Sequence, residues 1–261
     1  MSVEQANLSG IRILDQPVEP QEKADYVAEM FDAIAPRYDL LNSILSGRLD
    51  SRWRRFAAKC AALAEGDAAL DVCSGTGDFA HELRLRVGKT GKVTASDFSA
   101  GMLATGKWKF AADDISVVRA DAMDLPFSDL SFDAAVVGFG LRNVAVPLKA
   151  LAEMSRVVKP NGRVVCLEFS HPNGDSIIDR VFEKAFTLFS QTFMSAIGGA
   201  LSGRAEAYVY LRESMARWKT RDEISAMMRA AGLVDIRTRD LMFGLVCIHV
   251  GIKAAPGTEE F

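Results

Sequence analysis

The sequence predicts a doubly wound α/β fold, a largely parallel sheet with helices on both faces. Three observations predict it. From Ala69 onward, short apolar stretches alternate with helix-periodic segments. The first apolar stretch runs into the glycine-bearing turn Cys73-Ser74-Gly75-Thr76-Gly77-Asp78. The second closes at an acidic residue, Asp97, about 20 residues past Gly77.

The elements follow in chain order. Residues 1–20 mix Gly, Gln, Glu and Pro without apolar periodicity and are expected to form a flexible tail. A helical cap is expected over residues 21–65. In it, Val27, Met30, Phe31 and Ile34 fall at helix spacing until Pro36 interrupts. Leu40, Leu41, Ile44 and Leu45 resume the pattern up to Gly47, and a third helix covers Ser51 to Leu63. The main domain is expected over 66–253, with strands at Ala69 to Cys73, Lys92 to Ser96, Ser116 to Arg119, Phe132 to Gly138 and Gly162 to Phe169. A helical insertion over 175–215 follows, crowded with Val181, Phe182, Phe186, Phe189, Phe193 and Ile197. A helix from Arg221 to Ala231 stops at Gly232, and Val234 to Leu241 pairs with Leu245 to Ile252 as an antiparallel hairpin around Phe243 and Gly244. Residues 254–261 are expected to be a second flexible tail.

Composition removes several classes of function. Of the 261 residues, 49% are hydrophobic and 25% charged, and charges interrupt every long apolar stretch, so a spanning segment is not expected. The N-terminus has neither a basic start with an apolar core nor an Arg-rich composition, so a cytoplasmic location is expected. Cys60, Cys73, Cys166 and Cys247 are scattered without a Cys-x-x-Cys pair, and His81, His171 and His249 are equally dispersed, so free thiols and no metal are expected. A net charge of −3 supplies no general attraction to nucleic acid.

The glycine turn points to a nucleoside. Asp71 lies in the strand before it, Gly75 and Gly77 let a ligand approach the backbone of Ser74 and Thr76, and the following helix offers unpaired N–H groups. Ala80 stands where a third glycine would stand, as dinucleotide folds also allow, so the turn alone is ambiguous. Asp97, followed by Phe98, can accept hydrogen bonds from ribose hydroxyls. Asp121 and Ala122, after the third strand, can accept the adenine amino proton. Together these residues hold an adenosine without a pyrophosphate site. The competing reading is structural: a tight strand-to-helix connection and two helix caps.

Further motifs resemble a family. They include Phe31, Asp32, Ile34, Ala35, Tyr38, Asp39, Asn42 and Ser46; Phe139-Gly140-Leu141-Arg142-Asn143 after the fourth strand; and the run from Arg156 through Lys159-Pro160-Asn161-Gly162 to Leu167-Glu168-Phe169-Ser170-His171-Pro172. Ala207 to Ser214 and Gly244 to Gly251 extend the match, which runs from about Val27 to Lys253. These stretches are similar to the ubiquinone and menaquinone biosynthesis C-methyltransferase family. The resemblance implies a class I S-adenosylmethionine-dependent methyltransferase fold, a Rossmann-like, mostly parallel seven-stranded sheet with a C-terminal antiparallel hairpin. It also implies that the chain methylates a ring carbon of a polyprenylated quinol with S-adenosylmethionine. The sequence departs from the family at Asn161, where a Pro-Gly-Gly turn is usual, at Asp50, where many relatives carry histidine, and at Trp218-Lys219-Thr220.

Ring methylation requires an electron-rich ring, so a phenolic proton must leave or be strongly shared. The resemblance makes Arg142 the first catalytic candidate. An arginine does not act as a base, so its role is phenolate stabilisation or the orienting of a water. Tyr38 and His171 are the other catalytic candidates, the latter as a general base at the carboxyl edge of the sheet. The cofactor is expected on Asp71, Ser74, Gly75, Thr76, Gly77, Asp97, Phe98, Asp121, Ala122 and Gly138. The substrate is expected on Asn42, Asn143, Glu168 and Tyr210. Expected partners are a prenylated quinol, a transient membrane-surface contact at the inner face, and a second copy of the chain in a homodimer. The membrane contact rests on the apolar insertion and on the basic run Arg48, Arg52, Arg54, Arg55 and Lys59. Demethylmenaquinol is the favoured acceptor, because Asp50 resembles menaquinone-type members. Three other readings stand beside it: methylation of a soluble phenol or amine, a non-catalytic assembly protein for quinone enzymes, and, from the glycine turn alone, a nicotinamide dehydrogenase.

Overall fold

The first strand, β1 (Ala68–Val72), is buried on both faces: Ala69 and Leu70 are fully excluded from water and face opposite sides of the sheet. A central parallel strand needs apolar residues on both faces, because helices cover it from above and below, and Asp71 next to the turn is the buried exception in β1. A computed structural model describes residues 19–170 and 205–255, and in it β1 pairs in parallel with β2 (Lys92–Asp97) on one side and β4 (Phe132–Gly138) on the other. With β3 (Ser116–Arg119), β5 (Val158–Phe169), β6 (Leu233–Leu241) and β7 (Val246–Lys253), the described sheet has seven strands in the order β3-β2-β1-β4-β5-β7-β6. The last strand, β7, is antiparallel to both β5 and β6. The connections reverse direction between β1 and β4, which opens a crevice at the carboxyl ends of those strands.

The strand alternation sorts the core into two layers. Ala69, Val136, Val165 and Ile248 meet Ala57 and Ala58 of α3 (Leu49–Cys60), Phe79 and Leu83 of α4 (Asp78–Val87), and Phe110 of α5 (Ala100–Ala112). Leu70, Val72, Ala135 and Val164 face Leu151 and Met154 of α6 (Pro147–Val157), and Ile224 and Met228 of α8 (Arg221–Ala230). A smaller cluster joins Met30 of α1 (Pro20–Ile34) and Leu41 of α2 (Tyr38–Leu45) to Tyr210 of α7 (Ala205–Ala216). That cluster seats the N-terminal cap on the domain.

Local chemistry explains where boundaries differ from expectation. Helix α1 begins at Pro20, whose fixed φ suits a first turn, so the cap starts at the end of the expected tail. Cys73 leaves the strand for the turn with φ of 56°. Strand β5 begins at Val158 rather than Gly162, because Val158 pairs with Phe132 before a register shift. Within it Asn161 has φ of 66°, the left-handed conformation that glycine supplies in the family's usual turn. Thr220 accepts the Glu223 N–H while Glu223 accepts the Thr220 N–H, so the departure at Trp218-Lys219-Thr220 forms a capping box. The expected tails, apart from their inner ends, and residues 171–204, which include most of the expected insertion, lie outside the described residues. The four cysteines are all free, and burial pushes each thiol pKa above its ordinary value.

His249, fully excluded from water on β7, lies 3.0 Å through Nε2 from the Arg221 carbonyl oxygen. Burial depresses its pKa below the usual 6.5. The unfolded chain therefore takes up a proton as pH falls below about 6.5, while the folded chain still resists. Stability contributed by neutral His249 is present above that pH and lost as pH falls through the folded pKa. Urea midpoints between pH 7 and 5 should fall more for the parent than for His249→Gln.

Candidate active site

A cleft of about 770 Å³ opens at the switch point, between the carboxyl ends of β1, β2 and β4 and the inner side of the cap. Its floor is Gly75 and Cys73 from the glycine turn, its side is Asp97 and Phe98, and its far wall is Asp121, Ala122 and Met123. Gly138, Phe139 and Asn143 line the β4 side. Ala24, Val27, Ala28 and Phe31, one face of α1, roof it together with Tyr38.

Asp97 organises the floor. Its Oδ2 accepts the Gly75 N–H at 2.7 Å and its Oδ1 accepts the Ser99 N–H at 2.8 Å, so one carboxylate fixes the turns after both β1 and β2. Burial raises its pKa, against the pull of the Ser99 and Gly75 N–H groups. Asp121 is fixed by a local turn, accepting the Met123 N–H at 2.8 Å. Phe98 is held by Arg119, whose Nε donates to the Phe98 carbonyl oxygen at 3.0 Å. Gly75 and Gly77 adopt φ of 58° and 92°, which the expected close approach of the backbone requires.

The cap is tethered to this floor by charge. Asp32 of α1 accepts the Gly101 N–H at 2.8 Å and the Ser99 hydroxyl, above the β2 turn. Lys23 donates to the Val144 carbonyl oxygen at 2.9 Å and to that of Arg142 at 3.5 Å, above the β4 turn, and burial lowers its pKa. Asp39, at the start of α2, accepts the Thr76 hydroxyl at 2.5 Å. The cap therefore reaches each of the three turns that shape the cleft.

Behind Asn143 lies a buried ion pair. The Arg142 guanidinium donates from Nη1 to Glu168 Oε1 at 2.7 Å and to the Phe139 carbonyl oxygen at 2.6 Å, and sits 5.2 Å from the Phe169 ring centroid. Glu168 also accepts the Phe169 N–H at 2.9 Å. Their side chains are 4% and 0% exposed, so this pair is held in low dielectric. Tyr38 stands nearby, with a pKa raised by burial against the charges of Arg54 and Arg142, and hydrogen-bonded by Asn42. Tyr210 is buried against Tyr26, with ring centroids 5.7 Å apart, and burial raises its pKa too.

Most expected cofactor residues gather at the cleft: Gly75, Asp97, Phe98, Asp121, Ala122 and Gly138 line it, as do Tyr38 and Asn143. Thr76 and Gly77 shape the turn from behind: Thr76 bonds Asp39, and Gly77 packs against Phe110. Asp71 lies buried beneath the turn. Arg142, Glu168 and Tyr210 do not line the described cleft but form a layer behind it. His171 lies outside the described residues. Of the basic run, Arg54 is withdrawn into a buried pair with Asp50 at 2.6 Å, and Arg55 pairs with Glu82 at 3.2 Å. Sequence reasoning missed Lys23, Ser99 and Lys109, whose contacts reach across distant segments. Ala24 and Ala28 had a signal, standing one turn apart beside the apolar Val27 and Phe31.

The cleft fits S-adenosylmethionine, a nucleoside carrying a charged amino-acid arm. Both Asp71 oxygens, Ser74 Oγ and Asn143 Oδ1 are buried with no hydrogen-bond partner among the described residues, in and around the turn where such an arm needs polar partners. Burial pushes the Asp71 carboxyl well up, with the Arg54 charge pulling against it.

Solved structures share the fold. An S-adenosylmethionine-dependent methyltransferase from Thermotoga maritima superposes with a TM-score of 0.62 at 20% identity, covering 87% of this chain and 99% of that one. The cyclase SpnF superposes at 0.60 with 18% identity, covering 92% and 98%. Curated relatives are nearer: demethylmenaquinone methyltransferases of Staphylococcus aureus strains JH9 and Newman are each 39% identical over 236 residues, 90% of this chain and 96% of theirs. The sheet order with its antiparallel β7, read with these relatives, makes the chain a class I methyltransferase that uses S-adenosylmethionine. Residues 19–253 match the ubiE/COQ5 methyltransferase family model, and the chain belongs to that family.

Replacing Asp97 tests the floor. In Asp97→Asn one backbone N–H would face an amide NH2 instead of an oxygen. Equilibrium dialysis should show S-adenosylmethionine affinity lower by about tenfold or more, and urea unfolding a stability loss of about 1–3 kcal/mol.

Proposed function

We propose that this chain methylates a ring carbon of a polyprenylated naphthoquinol of the demethylmenaquinol type. The observation that carries this reading is the 39% identity, over nearly the whole length of both chains, to proteins named demethylmenaquinone methyltransferase. Bound S-adenosylmethionine supplies an electrophilic methyl group on a sulfonium. Asp97 would hold the ribose hydroxyls, Asp121 the adenine amino group, and the Gly75 turn with Asp71 the amino-acid arm.

The chain's own groups handle the acceptor. Arg142 is neutralised by Glu168 yet keeps a buried Nε without a hydrogen-bond partner among the described residues, a donor that a ring oxygen or a water would meet on entering the layer behind the cleft. A fixed cation in a desolvated layer stabilises charge that develops as the phenolic proton departs. Tyr38, steadied by Asn42, closes the cleft from the cap side and keeps water from the methyl donor. The alternatives, a soluble phenol or amine acceptor or a non-catalytic assembly role, lack a comparable observation.

A lipid acceptor also gives the cap's outer surface a use. Leu40 and Ile44, exposed one turn apart on α2, precede the exposed Arg48 and Arg52, which have no ion-pair partner among the described residues. Apolar side chains beside unpaired cations suit an anionic membrane face.

The direct test incubates the protein with labelled S-adenosylmethionine and prenylated demethylnaphthoquinol, benzoquinol and soluble phenols, followed by mass analysis. A methylated naphthoquinol ring carbon is expected; label only on a soluble acceptor would sink the reading. Arg142→Lys should lower kcat by about 100-fold or more, while S-adenosylmethionine affinity stays within about twofold. Sedimentation with phosphatidylglycerol vesicles should capture the parent, and Leu40→Ser/Ile44→Ser several-fold less.

A further inference from the structure

Lys109 lies on the last turn of α5, with a side chain only 12% exposed. Its Nζ donates to Asp39 Oδ2 at 2.6 Å and to Asp78 Oδ1 at 2.6 Å, and lies 3.4 Å from Thr76 Oγ1. The other Asp39 oxygen takes the Thr76 hydroxyl. Burial would lower the Lys109 pKa, but its bonds to the two carboxylates hold it above the ordinary lysine value. The ammonium therefore persists through neutral pH. Without it, two carboxylates would face each other with only a threonine hydroxyl between them.

The three partners belong to different working parts. Asp39 is in the first turn of α2 and follows Tyr38, whose ring carbon Cε1 would lie 3.8 Å from a Cβ placed on Gly75. Thr76 and Asp78 belong to the glycine turn, whose Gly75 N–H holds Asp97. The remaining cap tethers, through Lys23 and Asp32, hold α1 and cannot substitute at α2.

We propose that Lys109 is a positioning residue for methyl transfer: shared by Asp39 of the cap and by Asp78 and Thr76 of the glycine turn, its ammonium holds Tyr38 closed over the cofactor cleft. It touches neither the described cleft wall nor the proposed acceptor layer, so it acts through Asp39 and Tyr38. The inference rests on methyl transfer from S-adenosylmethionine, not on the choice of quinol.

The test uses the full chain and S-adenosylmethionine itself. In Lys109→Met, Kd by equilibrium dialysis should rise about tenfold or more and kcat should fall, while Lys109→Arg recovers most of both. Adding Lys109→Met to Asp39→Asn should cost little more than Asp39→Asn alone, because the shared contact is already gone. Lys159→Met, which removes an ion pair with Asp133 at 2.8 Å outside the cleft, should leave Kd unchanged. If Lys109→Met does not fold, Lys109→Gln, which keeps donors without the charge, carries the same comparison. Parent-like Kd in the uncharged variant, fully additive effects with Asp39→Asn, or equal weakening by Lys159→Met would each overturn the proposal.

Discussion

Much of this structure hangs on one carboxylate receiving two backbone N–H groups from separate turns. Asp97 closes β2, yet its oxygens hold Gly75 after β1 and Ser99 at the start of α5. An isolated turn with glycines at positive φ has many accessible shapes, and this carboxylate selects one. Other contacts build on that choice. Ser99 in turn accepts the Met102 N–H and bonds Asp32 of the cap, so a single acidic side chain links floor, flanking helix and roof.

The buried Arg142–Glu168 pair follows a different logic. Removing two charges from water costs more than a packed apolar pair would, so stability alone does not explain it. Its place does. The 3₁₀ turn Leu141–Asn143 carries Arg142 inward and Asn143 to the cleft, with Glu168 at the end of the neighbouring strand. Under the proposed reaction, a guanidinium fixed by a carboxylate, a carbonyl oxygen and an aromatic face would keep its orientation when the acceptor arrives.

How much the sequence revealed depended on how far apart the participants lie. Strands β3 and β4 were legible to the residue, and the glycine turn with Asp97 was legible because a strand, a turn and an acidic strand end sit at a short, fixed spacing. Capping at Thr220 was local and could have been read from Thr220 and Glu223. Asp50 looked like a substrate determinant, but it spends its oxygens on Ser46 and Arg54 within its own helical neighbourhood. Lys109 and Asp39, 70 residues apart, gave no warning of their meeting. The same limit made the basic run look like one charged face, although tertiary packing turns Arg54 inward.

The four thiols carry a practical consequence for protein chemistry. Cys73 lines the cleft yet its proton is held tightly by burial and by the neighbouring Asp97 and Asp71 carboxylates. Cys166 and Cys247 are enclosed within the sheet. Alkylating reagents attack thiolates, so all four native sulfurs should be slow to react. A new cysteine on an exposed cap position would then outcompete them for a fluorophore or spin label, and the native chain can report its own motions without first being stripped of sulfur.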